Sequence, residues 1–476
     1  MRKHYSIDRL LWFPAGRELL KRHSPGFFGL VLVLAAIFGA FSRCSREKPE
    51  DPADYRLATE VTVTWNRLLL DLERHTTGYR PPVSARTFAY VELAAYETAL
   101  PALEGYVSFG EFNSGFSTDG LPFPREHYCL PAGLNAAYAR MARHFFISAP
   151  PQWLNRIDQL EADFARNIQG QAEKQSFELS CAYGDSTAEA VWRWSVSDSE
   201  GHNAFLYNYD KNYTPPTCAG CWKSDERQSM PALLPHWGLV RPFVVAPGSL
   251  TLNPPPAFDE TRGSAFFTEA MEVLSVSQPL SKENLWIAEF WSDDLPGLTV
   301  TPAGRWISIT NQAIEEARPT FPVVIETYLK TALALCDASI ITWHGKYLYN
   351  VERPDTYIRR NIKPDWSALH DTPSFPSYPS GHSAFGAAAA EVLSAQLGTQ
   401  FLLTDRTHEN RQEFVGKPRT YQSFAEMAKE NAASRVLIGV HYRMDCEEGL
   451  RIGKYVGQKI NNLPLRRKEA AVILPQ

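Results

Sequence analysis

From about Ala53 onward, apolar residues return every three or four positions in one stretch after another, and this period most restricts the fold. ATEVTVTWNRLLLDLERH and SARTFAYVELAAYETALPAL show it first, and NAAYARMARHFFI, WLNRIDQLEADFARNIQ and TAEAVWRWSV continue it. It resumes at AFFTEAMEVLSV, ENLWIAEFWSD, RWISITNQAIEEA and PVVIETYLKTALALCDASIITWHGKYLY. HSAFGAAAAEVLSAQLG, SFAEMAKENAASRVLIGVHYR and CEEGLRIGKYVGQKI close the series, and strand-like alternation is scarce throughout. Helices with apolar stripes and no sheet to cover them must bury those stripes on one another. The expected class is therefore all-α, built of packed helical bundles. Residues 201–262 are the exception, rich in Pro, Asn, Gly and aromatics with no sustained period. That length predicts a loop that wraps the surface or rims a cleft. The expected division is a leader and linker over residues 1–52, a helical region over 53–300 that holds the loop, and a helical core over 301–476.

The leader is different in kind. Phe27 to Phe41 is an uninterrupted apolar run, preceded by Arg2, Lys3, Arg9, Arg17, Lys21 and Arg22. Its shortness and basic flank read as an export signal rather than a full span, with the remainder of the chain sent across the membrane. Cys44 directly after the run suits lipidation of the bacterial lipoprotein kind, although Arg43 suits that cleavage poorly. An uncleaved anchor or a buried helix are the alternatives. The expected location is periplasmic, or anchored and facing outward. A formal charge of −5 gives no sign of a nucleic-acid binder, and the lack of like-charge blocks or repeats argues against a solenoid or a disordered scaffold. Cys218 and Cys221 make a single C-x-x-C, a weak zinc signal without a second pair, and better read as a local disulfide or two free thiols. Cys129, Cys181, Cys336 and Cys446 have no informative spacing.

Three segments carry chemistry. In KYLYNVERP, Lys346 and Arg353 are seven residues apart, so both cations reach one face if the helix continues, and Pro354 ends it soon afterwards. In FPSYPSGHS, Pro379 and Ser380 form a helix start, and Gly381 lets backbone approach a ligand. Free amides at such a terminus favour an oxyanion, and His382 adds a proton carrier there. In SRVLIGVHYRMD, Asp445 follows His441 by four residues, the spacing that lets a carboxylate fix an imidazole, while Arg435 lies six before His441. Singly, each has a plain structural explanation: a solvated stripe, a turn with an exposed His, a helical ion pair. Together they supply one Lys, two Arg, two His, a Ser hydroxyl and backbone amides, which make an anion clamp with proton-transfer groups.

The order K-x6-RP, PSGH, SR-x5-H-x3-D resembles the signature shared by vanadium haloperoxidases and type 2 phosphatidic-acid phosphatases. The motif-bearing resemblance spans about residues 320–460, and WNRLLLD with SARTFAYVELAAYE is a softer likeness to the first half of bacterial haloperoxidase-like proteins. The resemblance implies that Lys346, Arg353 and Arg435 bind the oxygens of vanadate or phosphate, with Ser380 and the Gly381 amide adding hydrogen bonds. It makes His441 the axial ligand to vanadium, or the nucleophile toward phosphorus. His382 becomes the general acid–base residue and Asp445 the partner of His441. Vanadate is the implied cofactor, with no other metal. The substrates are hydrogen peroxide and halide, or else a phosphate ester.

Neighbouring residues favour the peroxidase. Trp343 lies one turn before Lys346, and Phe375 five residues before Ser380. Aromatic residues at both positions are similar to chloride-oxidising members of the family, and FPSYPSGH as a block looks more like the haloperoxidases. Membrane phosphatases of the superfamily thread several spans through their motifs, whereas this chain has one apolar run of that kind, far from them. Ordinary core packing is the alternative reading of Trp343 and Phe375. His344 and the loop 201–262 are further candidates for shaping the pocket.

Overall fold

A computed structural model describes residues 51–467, except 119, 122–127, 225–229, 296 and 414. The apolar run of Phe27–Phe41 and Cys44 lie outside the described residues, and with them the expected signal or anchor. Residues from Asp51 onward form one compact unit in which helices from both expected regions interpack.

Thirteen α-helices are described: α1 (Ala53–His75), α2 (Pro81–Ala99), α3 (Leu130–Phe145), α4 (Pro151–Gln169), α5 (Lys174–Val196), α6 (Ala265–Ser277), α7 (Lys282–Phe290), α8 (Pro302–Ala317), α9 (Phe321–Tyr349), α10 (Pro354–Asn361), α11 (Gly381–Leu397), α12 (Phe424–Ile438) and α13 (Arg443–Asn461). The molecule is all-α, as the period requires. Its strands are two small antiparallel pairs among the described residues, β1 (Tyr209–Asp210) with β2 (Ala232–Leu233) and β3 (Leu403–Asp405) with β4 (Arg419–Tyr421). No described helix is long and apolar enough to cross a membrane.

The 29-residue α9 is the axis, packed on α2 on one side and on α11 and α13 on another. It is apolar nearly all round and buried along most of its length, which is how a central helix differs from an amphipathic surface one. Trp343 on this helix and Trp306 on α8 are buried completely. Each such indole removes roughly 150–250 Å² from water, at about 25 cal/mol per Å² of apolar surface. A glycine stripe, Gly449, Gly453 and Gly457, lets α13 lie directly on α11. A Cβ at Gly449 would come within 2.5 Å of the Ser380 carbonyl oxygen, and one at Gly453 within 2.2 Å of that of Ala384. Backbone contact this close is possible only without side chains. It sets the starts of the two helices side by side.

The loop 201–262 is tied to the axis rather than left in solvent. Asp337 on α9 accepts the amides of Phe243, Val244 and Val245 at 2.8, 2.8 and 2.7 Å. Trp237 Nε1 donates to Ser339 Oγ at 2.9 Å. Cys218 and Cys221 are paired as a disulfide, and the backbone beside them pairs with the turn after α9. Cys129, Cys336 and Cys446 are buried thiols, and Cys181 is half-buried.

Candidate active site

The three chemical segments meet where helix ends converge. Lys346 is in the last turn of α9, Arg353 caps the start of α10, and Ser380, Gly381 and His382 open α11. Arg435 is in the last turn of α12, and His441 stands just before α13, on which Asp445 is the third residue.

Two local expectations differ. Lys346 and Arg353 do not share a helix. α9 stops at Tyr349 because Asn350 turns left-handed (φ 50°), with its N–H closing on Lys346 O, and Pro354 then opens α10 rather than ending α9. Asn tolerates that conformation better than other residues with side chains, and Pro suits the first turn of a helix. His441 and Asp445 do not sit one turn apart on a helix either. Gly439 (φ 89°) ends α12, and Asp445 reaches back from the first turn of α13. Its Oδ2 accepts the Tyr442 amide at 3.1 Å and His441 Nδ1 at 2.8 Å. The pairing survives by N-terminal capping instead of helical spacing. Ser380 caps α11, accepting from the Ser383 amide at 3.4 Å.

A cavity of about 420 Å³ is lined by His382, His441, Arg435, Gly381, Trp343 and Phe375, among others. Lys346, Arg353, Ser380 and Asp445 are fully buried behind that lining. Lys346 Nζ donates to the carbonyls of Pro376 (3.1 Å), Ser377 (2.9 Å) and Pro379, so it also holds the segment leading into α11. Its ammonium lies 5.0 Å from the Phe375 ring and 5.7 Å from that of Trp343, whose rings pack 5.1 Å apart. Arg353 donates Nε to Phe375 O at 3.0 Å and Nη1 to Val440 O at 2.8 Å, while its buried Nη2 has no partner.

Arginine can only donate, so its contacts fix both imidazoles. Arg353 Nη1 is 3.1 Å from His441 Nε2, and Arg435 Nη1 is 3.1 Å from His382 Nε2. Each Nε2 must carry the lone pair, and His441 Nδ1–H goes to Asp445. Burial pushes both histidines well below the ordinary imidazole value, with Arg353 opposing a charge on His441 and Arg435 on His382. Both are neutral bases near pH 7. Burial also pushes Arg353 and Arg435 down to about 10 and Lys346 well below a normal lysine, for which neighbouring Arg353 adds to the effect. It raises Asp445 to about 6, while the Ser377 hydrogen bond, Lys346 and Arg353 oppose the rise. None of the three cations has a carboxylate within salt-bridge distance among the described residues.

The donor set fits an oxyanion. Buried cations are normally paired, since desolvating an unpaired charge is costly. Three unpaired ones around an orphaned guanidinium nitrogen and two fixed imidazoles suit vanadate or phosphate. Among the described residues no group of three His, Cys, Asp or Glu is placed to hold a cation.

Several cavity residues escaped the sequence reading. His370 Nε2 bonds Ser292 Oγ at 2.8 Å, and Arg80 pairs with Asp294 at 3.0 Å. Burial raises Asp294 to about 6. Ser377, also unread, donates to Asp445 Oδ2. His344 lies outside the cavity lining and packs against Gly238, whereas Tyr209 and Met230 of the long loop reach it.

Comparison with known proteins agrees with this geometry. The family model for the VCPO second helical-bundle domain matches residues 326–466, the span that holds all ten candidate residues. Vanadium chloroperoxidase of Curvularia inaequalis is 23% identical over 505 aligned positions, covering 84% of this chain and 80% of that protein. A bacterial vanadium-dependent iodoperoxidase superposes with a TM-score of 0.76 at 27% identity, over 87% of this chain and 98% of the other. The holo form of a bacterial vanadium-dependent chloroperoxidase shares the fold, with a TM-score of 0.63 at 16% identity over 82% and 92%. By fold, by the matched helical bundle and by these relatives, the chain is similar to the vanadium haloperoxidases.

Proposed function

We propose that the protein is a vanadate-dependent haloperoxidase, oxidising halide with hydrogen peroxide and a proton to hypohalous acid and water. The observation that carries the reading is the buried trio Lys346, Arg353 and Arg435, without a salt bridge among the described residues, around two neutral histidines. Lys346, Arg353, Ser380, Gly381 and Arg435 would hold vanadate, with His441 Nε2 as a ligand to it. Bound there, vanadate supplies the Lewis-acidic centre that activates hydrogen peroxide toward halide.

The chain's own groups do the rest. Asp445 holds the proton on His441 Nδ1 and so keeps the lone pair on Nε2, where Arg353 Nη1 meets it. His382 Nε2 takes a proton from hydrogen peroxide and returns it to the departing oxygen, the role of a general acid–base group lining the cavity. Arg353 and Arg435 neutralise anionic charge from fixed positions in a dry site, where electrostatic stabilisation is strongest. Trp343 and Phe375 exclude water beside Lys346 and so strengthen its field. We also place the reaction outside the cytoplasm, supported by the basic and apolar leader and by the Cys218–Cys221 pair.

The test compares purified protein with and without orthovanadate. Iodide, the halide easiest to oxidise, should be turned over only with vanadate, and inorganic phosphate should compete for the apoprotein. Rapid hydrolysis of a phosphate ester, with no vanadate-dependent halide oxidation, would make the same clamp a phosphatase working through His441.

A further inference from the structure

Ser377 is fully buried and all three of its polar groups serve the site. Its N–H donates to Val351 O at 2.9 Å, two residues before Arg353, and its carbonyl accepts Lys346 Nζ at 2.9 Å. Its hydroxyl donates to Asp445 Oδ2, the oxygen that also takes the Tyr442 amide and His441 Nδ1, while Oδ1 has no partner. The hydroxyl hydrogen thus joins the segment before α11 to the His–Asp pair of α13.

We propose that Ser377 is a positioning residue whose hydroxyl locks the Asp445 carboxylate and thereby holds His441 in the Nδ1–H form, with Nε2 facing the oxyanion. The inference rests on the haloperoxidase reading of His441 and adds a residue to it. Two fixed donors on Oδ2, one hydroxyl and one amide, fix the rotation of the carboxylate and leave that oxygen nothing to donate. The imidazole can then meet it only as a donor. With the hydroxyl removed, the Tyr442 amide alone steadies Oδ2, the carboxylate can turn, and the imidazole keeps only the Arg353 Nη1 contact on Nε2 to set its tautomer. The backbone bonds of Ser377 do not depend on its side chain, so the hydroxyl can be removed without dismantling the turn. Groups that orient a metal-ligating histidine typically change ligand affinity 10–100-fold, which sets the expected scale.

The experiment uses full-length Ser377→Ala and Ser377→Thr. Imidazole ¹⁵N spectra of the apoprotein report the tautomer, with His441 assigned from a His441→Gln sample. Calorimetric titration with orthovanadate and with inorganic phosphate reports affinity, and thermal unfolding reports folding. Wild type should show His441 as Nδ1–H alone. The alanine variant should show mixed tautomers at His441 but not at His382, and bind orthovanadate about 10–100-fold more weakly. Threonine, which keeps the hydroxyl, should retain the single tautomer. An Nε2–H form in wild type overturns the proposal even if no variant folds. So does an alanine variant with unchanged tautomer and affinity, or a folded threonine variant as impaired as alanine. Wild type that holds the Nδ1–H form through Ser377 but binds neither anion would instead overturn the oxyanion reading alone.

Discussion

Replacing Arg353 by lysine keeps the charge and removes the geometry, and so separates two roles of this side chain. Arg353 reaches Phe375 O through Nε and Val440 O through Nη1, at 3.0 and 2.8 Å, and offers Nη2 to no protein group. A lysine ammonium on a single stem reaches one of those carbonyls and leaves the other buried and unpaired. Hydrogen bonds from a charged donor are worth about 1.5–3 kcal/mol each, so Arg353→Lys should destabilise the apoprotein by about 2–3 kcal/mol. At about 2.1 cal/mol/K of unfolding entropy per residue, that is a fall in Tm of about 2–4 °C for a chain of this size. The second effect concerns the ligand. If Nη2 is the donor kept for an oxyanion oxygen, losing that bond costs another ~1.5–3 kcal/mol, about 10–150-fold in affinity. Scanning calorimetry measures the first number and titration with orthovanadate the second. A variant with the expected Tm that binds orthovanadate within threefold of wild type would refute the assignment of Nη2. An unchanged Tm would refute the anchoring of Phe375 and Val440.

The two histidines should fail differently. His441→Ala removes the proposed vanadate ligand and should abolish orthovanadate retention on gel filtration, whereas His382→Ala should retain it and lose about 10²–10⁴-fold in halide oxidation; equal loss of retention would mean the roles are misassigned. Glu92 lies buried between Asn66 and Tyr138, and burial raises it from 4.5 to about 7. Its folded value is above the unfolded one, so its contribution to stability is complete below pH 4.5 and is lost as pH rises through 7. Glu92→Gln keeps both hydrogen bonds without the charge and should gain about 3 kcal/mol on wild type between pH 4 and pH 8; parallel denaturation curves at the two values would disprove it.

The sequence was most legible where structure is local. The helical period announced the elements, and Pro-Ser-Gly announced the start of α11, because a cap and its helix are neighbours in the chain. The convergence of the eight motif residues was legible jointly, through order and spacing across three segments, and Trp343 and Phe375 as their neighbours. What was lost was distant or subtle. The seven-residue spacing of Lys346 and Arg353 suggested one helix, and only the weak left-handed tolerance of Asn350 pointed to the break. Ser377 was within a segment already singled out, but its partner Asp445 is 68 residues away. His370 and Ser292 meet across 78 residues, and Arg80 and Asp294 across 214, with no period to connect them. The stripe of Gly449, Gly453 and Gly457 was visible as helix, yet not as the surface on which α11 would rest.

That stripe explains why the clamp forms at all. By admitting α11 to contact, it sets the starts of α11 and α13 together, and the first amides of a helix have no partner within it. Both helix dipoles therefore add positive potential to a place already holding Lys346, Arg353 and Arg435. Asp445 offsets part of it, but that carboxylate is committed to His441, Ser377 and the Tyr442 amide. Burial opposes the charge on every cation, and this is why all three are pushed below their ordinary values. A bound oxyanion would offset the burial cost that depresses them, so affinity for such a ligand and the cost of the free site would have one origin. The helix ends that close the fold and the charges proposed to hold an oxyanion are the same few residues, which is why the site is made from turns and caps rather than from helix faces.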